Sequence, residues 1–274
     1  MESVRVRMDV SYDGTDFSGW AVQPGRRTVA GVLGEALTRL CGPAGADGLT
    51  VAGRTDAGVH ATGQVCHVDI SAAAWQQFGA TLPRRLGGIL PPDVRVRAVV
   101  EMPPDFDARF SALYRRYEYR VSDAPWGAEP LRRRDTAVWP RPLQVDRLNA
   151  AAAGLVGEHD FAAFCRRKEN ATTVRAVTSL TWHRDDDGGV FVATVQADAF
   201  CQSMVRSLVG AMLVVGDGRR EPEWPAALLS RRERAGEVTV APARGLTLIA
   251  VGYPHEGYGE RALVTRRRRQ LPAS

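Results

Sequence analysis

The chain has 274 residues; at about 150 residues per domain that is one large domain or two modest ones, enough to bury a core. Hydrophobic residues make up 45% and charged residues 24%, which excludes a disordered, collagen-like or disulfide-scaffold chain and leaves a globular fold. The net charge of +5 rests on arginine almost alone, since Lys168 is the single lysine among 36 basic residues facing 31 acidic ones.

Residues 4–12 open the chain with apolar side chains at Val4, Val6, Met8, Val10 and Tyr12, the alternation of a half-buried strand. Residues 13–23 read as a loop punctuated by Gly14, Gly19 and then Pro24. Thr28 can cap a helix whose apolar positions Val29, Val32, Leu33, Ala36, Leu37 and Leu40 recur every three or four residues, and Gly42-Pro43 ends it. Strands follow at 49–52 and 65–70, a helix interrupted by Gly79 and Pro83 at 75–88, and a strand at 94–100. Pro103 and Pro104 mark a break. Beyond it come a strand at 113–121, a helix at 145–155, strands at 174–184 and 190–197, a helix at 202–215 with Gly216 as its left-handed stop, and a strand at 246–251 before a polar tail. Strands and helices in mixed order give an α+β fold. Two lobes with a shared cleft are expected: residues 1–103, residues 104–254, and an Arg-rich tail at 255–274.

Local charge says more than net charge. Basic runs at 132–134, 166–168, 231–234 and 266–269 suit a phosphate-rich partner, with solvated surface as the plainer reading of any one of them. Cys41, Cys66, Cys165 and Cys201 form no C-x-x-C pair, so reduced, buried thiols are expected. The five histidines are not at metal-ligand spacing, and no metal site is expected. The longest apolar run, 208–216, falls well short of the ~20 residues of a membrane span, so no membrane association and a cytoplasmic location are expected.

The most loaded turn lies between two expected strands: Gly53-Arg54-Thr55-Asp56-Ala57-Gly58-Val59-His60-Ala61. Glycines flank one carboxylate, and an arginine two residues before it can keep it ionised or reach a phosphate. A bare turn of this kind is more often a hairpin in which the aspartate serves the backbone. Tyr117 shares a strand face with Tyr119 and Val121, and alone reads as a core aromatic. Arg206 sits in an otherwise apolar helix, where a guanidinium needs either a partner or a solvent-facing position. Glu158-His159-Asp160 reads as an acidic turn leading into Phe161 and Phe164.

Taken together, these strings resemble the TruA-type tRNA pseudouridine synthases. Tyr12-Asp13-Gly14-Thr15 with Phe17, Gly19 and Trp20 is similar to that family's opening loop, and the aspartate turn with Gly63-Gln64-Val65 to its catalytic motif. Ala108-Arg109-Phe110-Ser111-Ala112, Arg115-Arg116-Tyr117-Glu118-Tyr119, Gly157-Glu158-His159-Asp160-Phe161 and Met204-Val205-Arg206 with Val209-Gly210 follow in order. The resemblance implies a pseudouridine synthase fold, a mixed and largely antiparallel sheet in each lobe around a basic cleft. It implies Asp56 as catalytic nucleophile, Tyr117 stacked on the target uracil, Arg206 ion-paired to Asp56, and Arg54 filling the space left by the everted nucleotide. The implied reaction is isomerisation of uridines at positions 38–40 of the tRNA anticodon stem-loop by a homodimer, without a cofactor. A non-catalytic RNA-binding module and a glycosidic-bond hydrolase are the alternative readings. The chain departs from the family pattern at Ala21, at Asp107 where histidine is usual, at Cys201-Gln202-Ser203 and Ser207, and in the added run 266–269.

Overall fold

The computed structural model describes residues 2–166, 172–185 and 189–270, the last three of these by backbone alone. Arg167 and Lys168 of one expected basic run therefore lie outside the described residues. The fold is α+β, and the chain divides into two compact units, one formed by the residues up to Leu113 with Leu248–Arg267 and the other built on Tyr114–Thr247.

The first unit begins with β1 (Ser3–Tyr12), α1 (Val29–Cys41), β2 (Ala46–Val51), β3 (His60–Ser71), α2 (Ala72–Phe78), α3 (Leu82–Ile89) and β4 (Val94–Glu101). β1 is flanked by β3 and β4, both antiparallel, and β2 adds to β3. The alternation read in β1 is the burial pattern found, with Val6, Met8 and Val10 fully buried and Tyr12 nearly so. In α1 the buried residues Val29, Leu33, Ala36 and Leu37 form one stripe; Thr28 accepts a hydrogen bond from the Gly31 N–H, and Gly42, at φ 83°, closes the helix on Thr38 O. The expected interruption at Gly79 and Pro83 appears as a 3₁₀ turn at Gly79–Thr81 between α2 and α3.

The second unit contains β5 (Tyr114–Ser122), β6 (Ala137–Val138), α4 (Val145–Ala153), β7 (Gly157–Asp160), β8 (Val174–Arg184), β9 (Val190–Ala197), α5 (Met204–Gly216) and α6 (Trp224–Ala227). Its strand order is β6-β5-β9-β8-β7, antiparallel except for the parallel β5–β6 pair. α4 packs on α5 and β8. β10 (Leu246–Gly252) then returns the chain to the first unit beside β3, and α7 (Tyr258–Gln270) follows. No helix among the described residues is long and apolar enough to cross a membrane.

Several expectations are corrected. Gly216 is the last residue of α5 rather than its left-handed stop: a side chain there would collide with Leu148 and Leu143, and the positive φ falls on Gly218. The 157–160 segment is strand β7, and the turn it was expected to form comes one residue later, where Asp160 accepts from Ala162 N and Thr173 Oγ1. The Arg-rich tail contributes α7 over Tyr258–Gln270, a structure the sequence reading left open: Tyr258, Ala262 and Arg266, four apart, face one segment of the first unit, with Tyr258 edge-on to Phe106 at 5.2 Å, Ala262 buried, and Gly259 N donating to Asp105. Cys165 and Cys201 are joined as a disulfide rather than reduced, leaving Cys41 and Cys66 free. The Arg166 N–H to Gln202 O hydrogen bond sets their two segments side by side, which a separation of 36 residues does not reveal.

His67 on β3 ties the 104–113 segment down by accepting the Ala108 N–H at Nδ1 (2.9 Å). Burial, reinforced by the charge of Arg5, holds its pKa below the ordinary histidine value, while Asp107 and Asp69 pull the other way. The unfolded chain therefore binds this proton more readily, so the stability His67 contributes is present above about pH 6.5 and is lost as pH falls toward its folded value. The melting midpoint should drop between pH 7.5 and 5.5, and drop less in His67→Gln. Equal pH slopes in the two proteins would remove His67 as the source.

Candidate active site

The aspartate turn occupies residues 53–59, between β2 and β3, and its shape is set by the opening loop rather than by the two strands alone. Trp20 N donates to Thr55 O (3.1 Å) and Gly58 N to Phe17 O (3.3 Å), so the loop and the turn are joined through their backbones. Within the turn Val59 N closes on Asp56 O at 3.2 Å, with Gly58 at φ 75°, a value that strains any residue with a Cβ. Beneath it, the Tyr12 phenol shares a buried hydrogen bond with Thr55 Oγ1 (2.8 Å) and accepts from Gln64 Nε2 (3.2 Å), whose amide also donates to Gly53 O (2.9 Å). Gln64 is fully buried, so its amide is held by these partners and not by water.

Two glycines of the loop are required by proximity. A Cβ on Gly14 would lie inside the Val59 carbonyl, and one on Gly19, at φ 95°, would approach Thr55 O to 2.8 Å. Gly14 N also lies 3.0 Å from Nδ1 of the buried His60, an atom that is 3.2 Å from Asp13 Oδ1 as well, so the ring is held against the opening loop. The loop is anchored on its outer side by Arg27, which is paired bidentate with Asp93 at 2.8 and 2.9 Å and lies 4.0 Å over the Phe17 ring. Asp56 is thus presented, half-buried, on a turn gripped along both edges, and Arg54 is exposed on the same turn. The charge of Arg54 is felt at Arg109 in the same unit. Partial burial, and then this like charge, hold Arg109 below the usual arginine range.

Tyr117 and Arg206 belong to the second unit. Tyr117 is buried on β5 opposite Val195 and meets the Phe200 ring edge-on at 5.2 Å, so the core-aromatic reading describes its packing. Arg206 lies in the first turn of α5, whose N-cap Ser203 adopts the left-handed conformation at φ 63°. Its Nε donates to Ala241 O (2.6 Å), and Ala241 N donates back to Arg206 O (3.0 Å). Gly210, one turn on, allows this: a Cβ there would overlap Thr239 O. Arg206 and Gly210, four apart, therefore dock the 239–241 segment. The Tyr119 phenol, which donates to Pro242 O, is pushed up by burial and drawn back in part by Arg206 and Arg244.

Of the four residues expected at the site, the structure places Arg54 and Asp56 together on one turn, and Tyr117 and Arg206 on β5 and α5 of the other unit. Sequence reasoning passed over Tyr12, Thr55 and Gln64 as a group. Their only signal was membership of the motif strings, since nothing in a strand's alternation marks a tyrosine whose hydroxyl is spoken for.

Comparison with known proteins supplies the remaining evidence. A family model described as tRNA pseudouridine synthase matches residues 151–254. The tRNA pseudouridine synthase A of Frankia casuarinae is 60% identical over 264 residues, covering 96% of this chain and 94% of that protein. Those of Streptomyces griseus and Mycobacterium leprae are 53% and 50% identical, covering 99% and 97% of this chain and 96% and 95% of the relatives.

The grip on the turn makes opposite predictions for two glycine substitutions. Gly14→Ala forces the Val59 backbone aside and should cost about 1–3 kcal/mol. Gly34→Ala, in α1 with nothing within 4 Å of the added Cβ, should gain roughly 0.5–1 kcal/mol. Thermal melting reads both, and a Gly14→Ala protein as stable as the parent would show that the loop does not clamp the turn.

Proposed function

The chain belongs to the tRNA pseudouridine synthase family, and from that premise we propose that it isomerises uridines at positions 38–40 of the tRNA anticodon stem-loop to pseudouridine, with the Asp56 carboxylate as nucleophile. The reaction breaks the bond from C1′ to N1, turns the uracil, joins C1′ to C5 and releases the C5 proton to water. Nothing is oxidised and no group leaves, so the chemistry needs no cofactor. A carboxylate suits it because, as in retaining glycosidases, it can trap an electron-deficient sugar carbon; addition to C6 of the ring is the other route open to the same oxygen.

The observation that carries this reading is the two-sided grip on the turn that presents Asp56. A nucleophile must meet its carbon in a narrow range of distance and angle, and a turn fixed by backbone hydrogen bonds and a buried phenol restricts that range before substrate arrives. The target uridine is inaccessible within a stacked stem, so it is everted at a cost of a few kcal/mol. Tyr117 offers an aromatic face that offsets part of this cost, and Arg54 the side chain that takes the vacated place. On this reading Arg206 is the ion-pair partner of the Asp56 carboxylate. The same reading assigns the protein to the cytoplasm, as a homodimer acting on soluble tRNA.

Asp56→Asn is nearly isosteric and leaves the phosphate contacts in place, so it should keep most tRNA affinity while losing at least about a thousandfold in rate, as expected when a covalent step is removed. Release of tritium from tRNA labelled at uracil C5 measures it, alongside the mass of the RNA. Release without change of RNA mass is the expected result for the parent protein. Free uracil would identify a hydrolase, and near-parental release by Asp56→Asn would remove the carboxylate from its role.

A further inference from the structure

The acidic residue before the Ala-Arg-Phe-Ser run and the arginine run near the C-terminus, unrelated in the sequence, meet in the first unit. Asp107 Oδ1 accepts the N–H groups of Arg109 (2.8 Å) and Phe110 (2.9 Å), closing the turn that presents both side chains. Its Oδ2 accepts from Arg266 Nη2 at 2.8 Å. One carboxylate therefore shapes the turn and holds the end of α7 against it. The Arg266 guanidinium lies 4.8 Å over the Phe110 ring and that of Arg109 lies 5.0 Å from the same ring, so two arginines share one aromatic platform.

This pair stands in the same unit as the aspartate turn: Arg109 and Arg266 share Phe110, Arg54 acts on Arg109 by its charge, and Arg267 is the next residue of α7, exposed. α7 itself is fixed from below by the Tyr258–Phe106 stack, by Ser111 Oγ donating to Tyr258 O (2.9 Å) and by buried Ala262. The Asp107 side chain is 15% exposed and that of Arg266 49%. The acid is consequently enclosed, and the cation it holds faces outward.

We propose that Arg266, positioned by Asp107 and Phe110, and its exposed neighbour Arg267 form a second contact for the sugar-phosphate backbone of the RNA, apart from the Asp56 turn on the same unit. The inference rests on the tRNA reading given above. An arginine stacked on a ring keeps its edge N–H groups available for phosphate and loses little freedom on binding, which a mobile tail would not offer. Arg109 and Arg266 share one ring in the unit that carries Arg54 and Asp56, and this grouping of guanidinium groups favours RNA over an unrelated acidic partner. Asp107 is then a positioning residue: its charge is spent on Arg266 instead of facing the phosphates.

The test is steady-state turnover of a tRNA transcript by the full-length protein over a range of salt concentrations. Arg266→Gln/Arg267→Gln should raise KM about five- to tenfold with the effect falling on KM rather than kcat, and should lower the slope of log KM against log salt by roughly one or two. Asp107→Asn keeps the Oδ1 acceptor that shapes the turn but loses the charge. It should raise KM by less and add nothing to Arg266→Gln. Unchanged KM and unchanged salt slope in a double variant that melts like the parent would overturn the proposal, as would a loss confined to kcat. Should the double variant melt early, Arg267→Gln alone, at an exposed position of α7, decides on the same slope. Because the parent protein's own pseudouridine yield is measured in each experiment, failure of the tRNA reading is seen there and is separate from failure of this one.

Discussion

The buried hydrogen bond between the Tyr12 phenol and Thr55 Oγ1 is the contact on which the shape of the aspartate turn depends. It joins the end of β1 to the middle of the aspartate turn, 43 residues on, and it does so beneath two backbone hydrogen bonds that bind the same turn to the opening loop. One such bond contributes only about 1 kcal/mol net, yet a partner left buried and unsatisfied costs about 1–3 kcal/mol. Specificity of shape, more than stability, is what this arrangement supplies. With Gln64 holding both the phenol and Gly53 O, the turn has few ways to relax without orphaning a polar group.

The second unit applies the same rule with different parts. Arg206 and Ala241 exchange hydrogen bonds in both directions, and Gly210 removes the Cβ that would keep the two segments apart. In each unit a charged side chain stands beside a place where two backbones touch, and in each a glycine is what lets them touch. Such contacts fix the Cα atoms beside them directly, with no long side chain as intermediary. At α7 the fixing is done instead by a carboxylate and a ring, which suits the backbone contact proposed for it.

Much of the scaffold was legible in the sequence. The period-two pattern of β1 and the three-four stripe of α1, with Thr28 and Gly42 at its ends, state their structure outright because local geometry and burial agree. α7 was not, since its docking stripe is Tyr258, Ala262 and Arg266, of which only Ala262 is buried, and an arginine at a docking position looks like one more surface charge. The Cys165–Cys201 link and the Asp107–Arg266 pair were hidden for a related reason: both arise where distant segments are laid together, and no local pattern marks them. Asp56 was conspicuous only because its flanking glycines and arginine form a string. Tyr12 and Gln64, which hold that string in place, read as an ordinary strand tyrosine and an ordinary polar residue.

The claim that the turn's rigidity, and not merely its carboxylate, makes the site competent is tested most directly by a double-mutant cycle on the single-turnover rate of pseudouridine formation at saturating tRNA, using Tyr12→Phe, Thr55→Val and the two combined. The account predicts that each single change lowers the rate about tenfold and that the combination is no worse than the more damaging single change, because both break one interaction. Parental rates in both single variants, or losses that simply multiply, would contradict it.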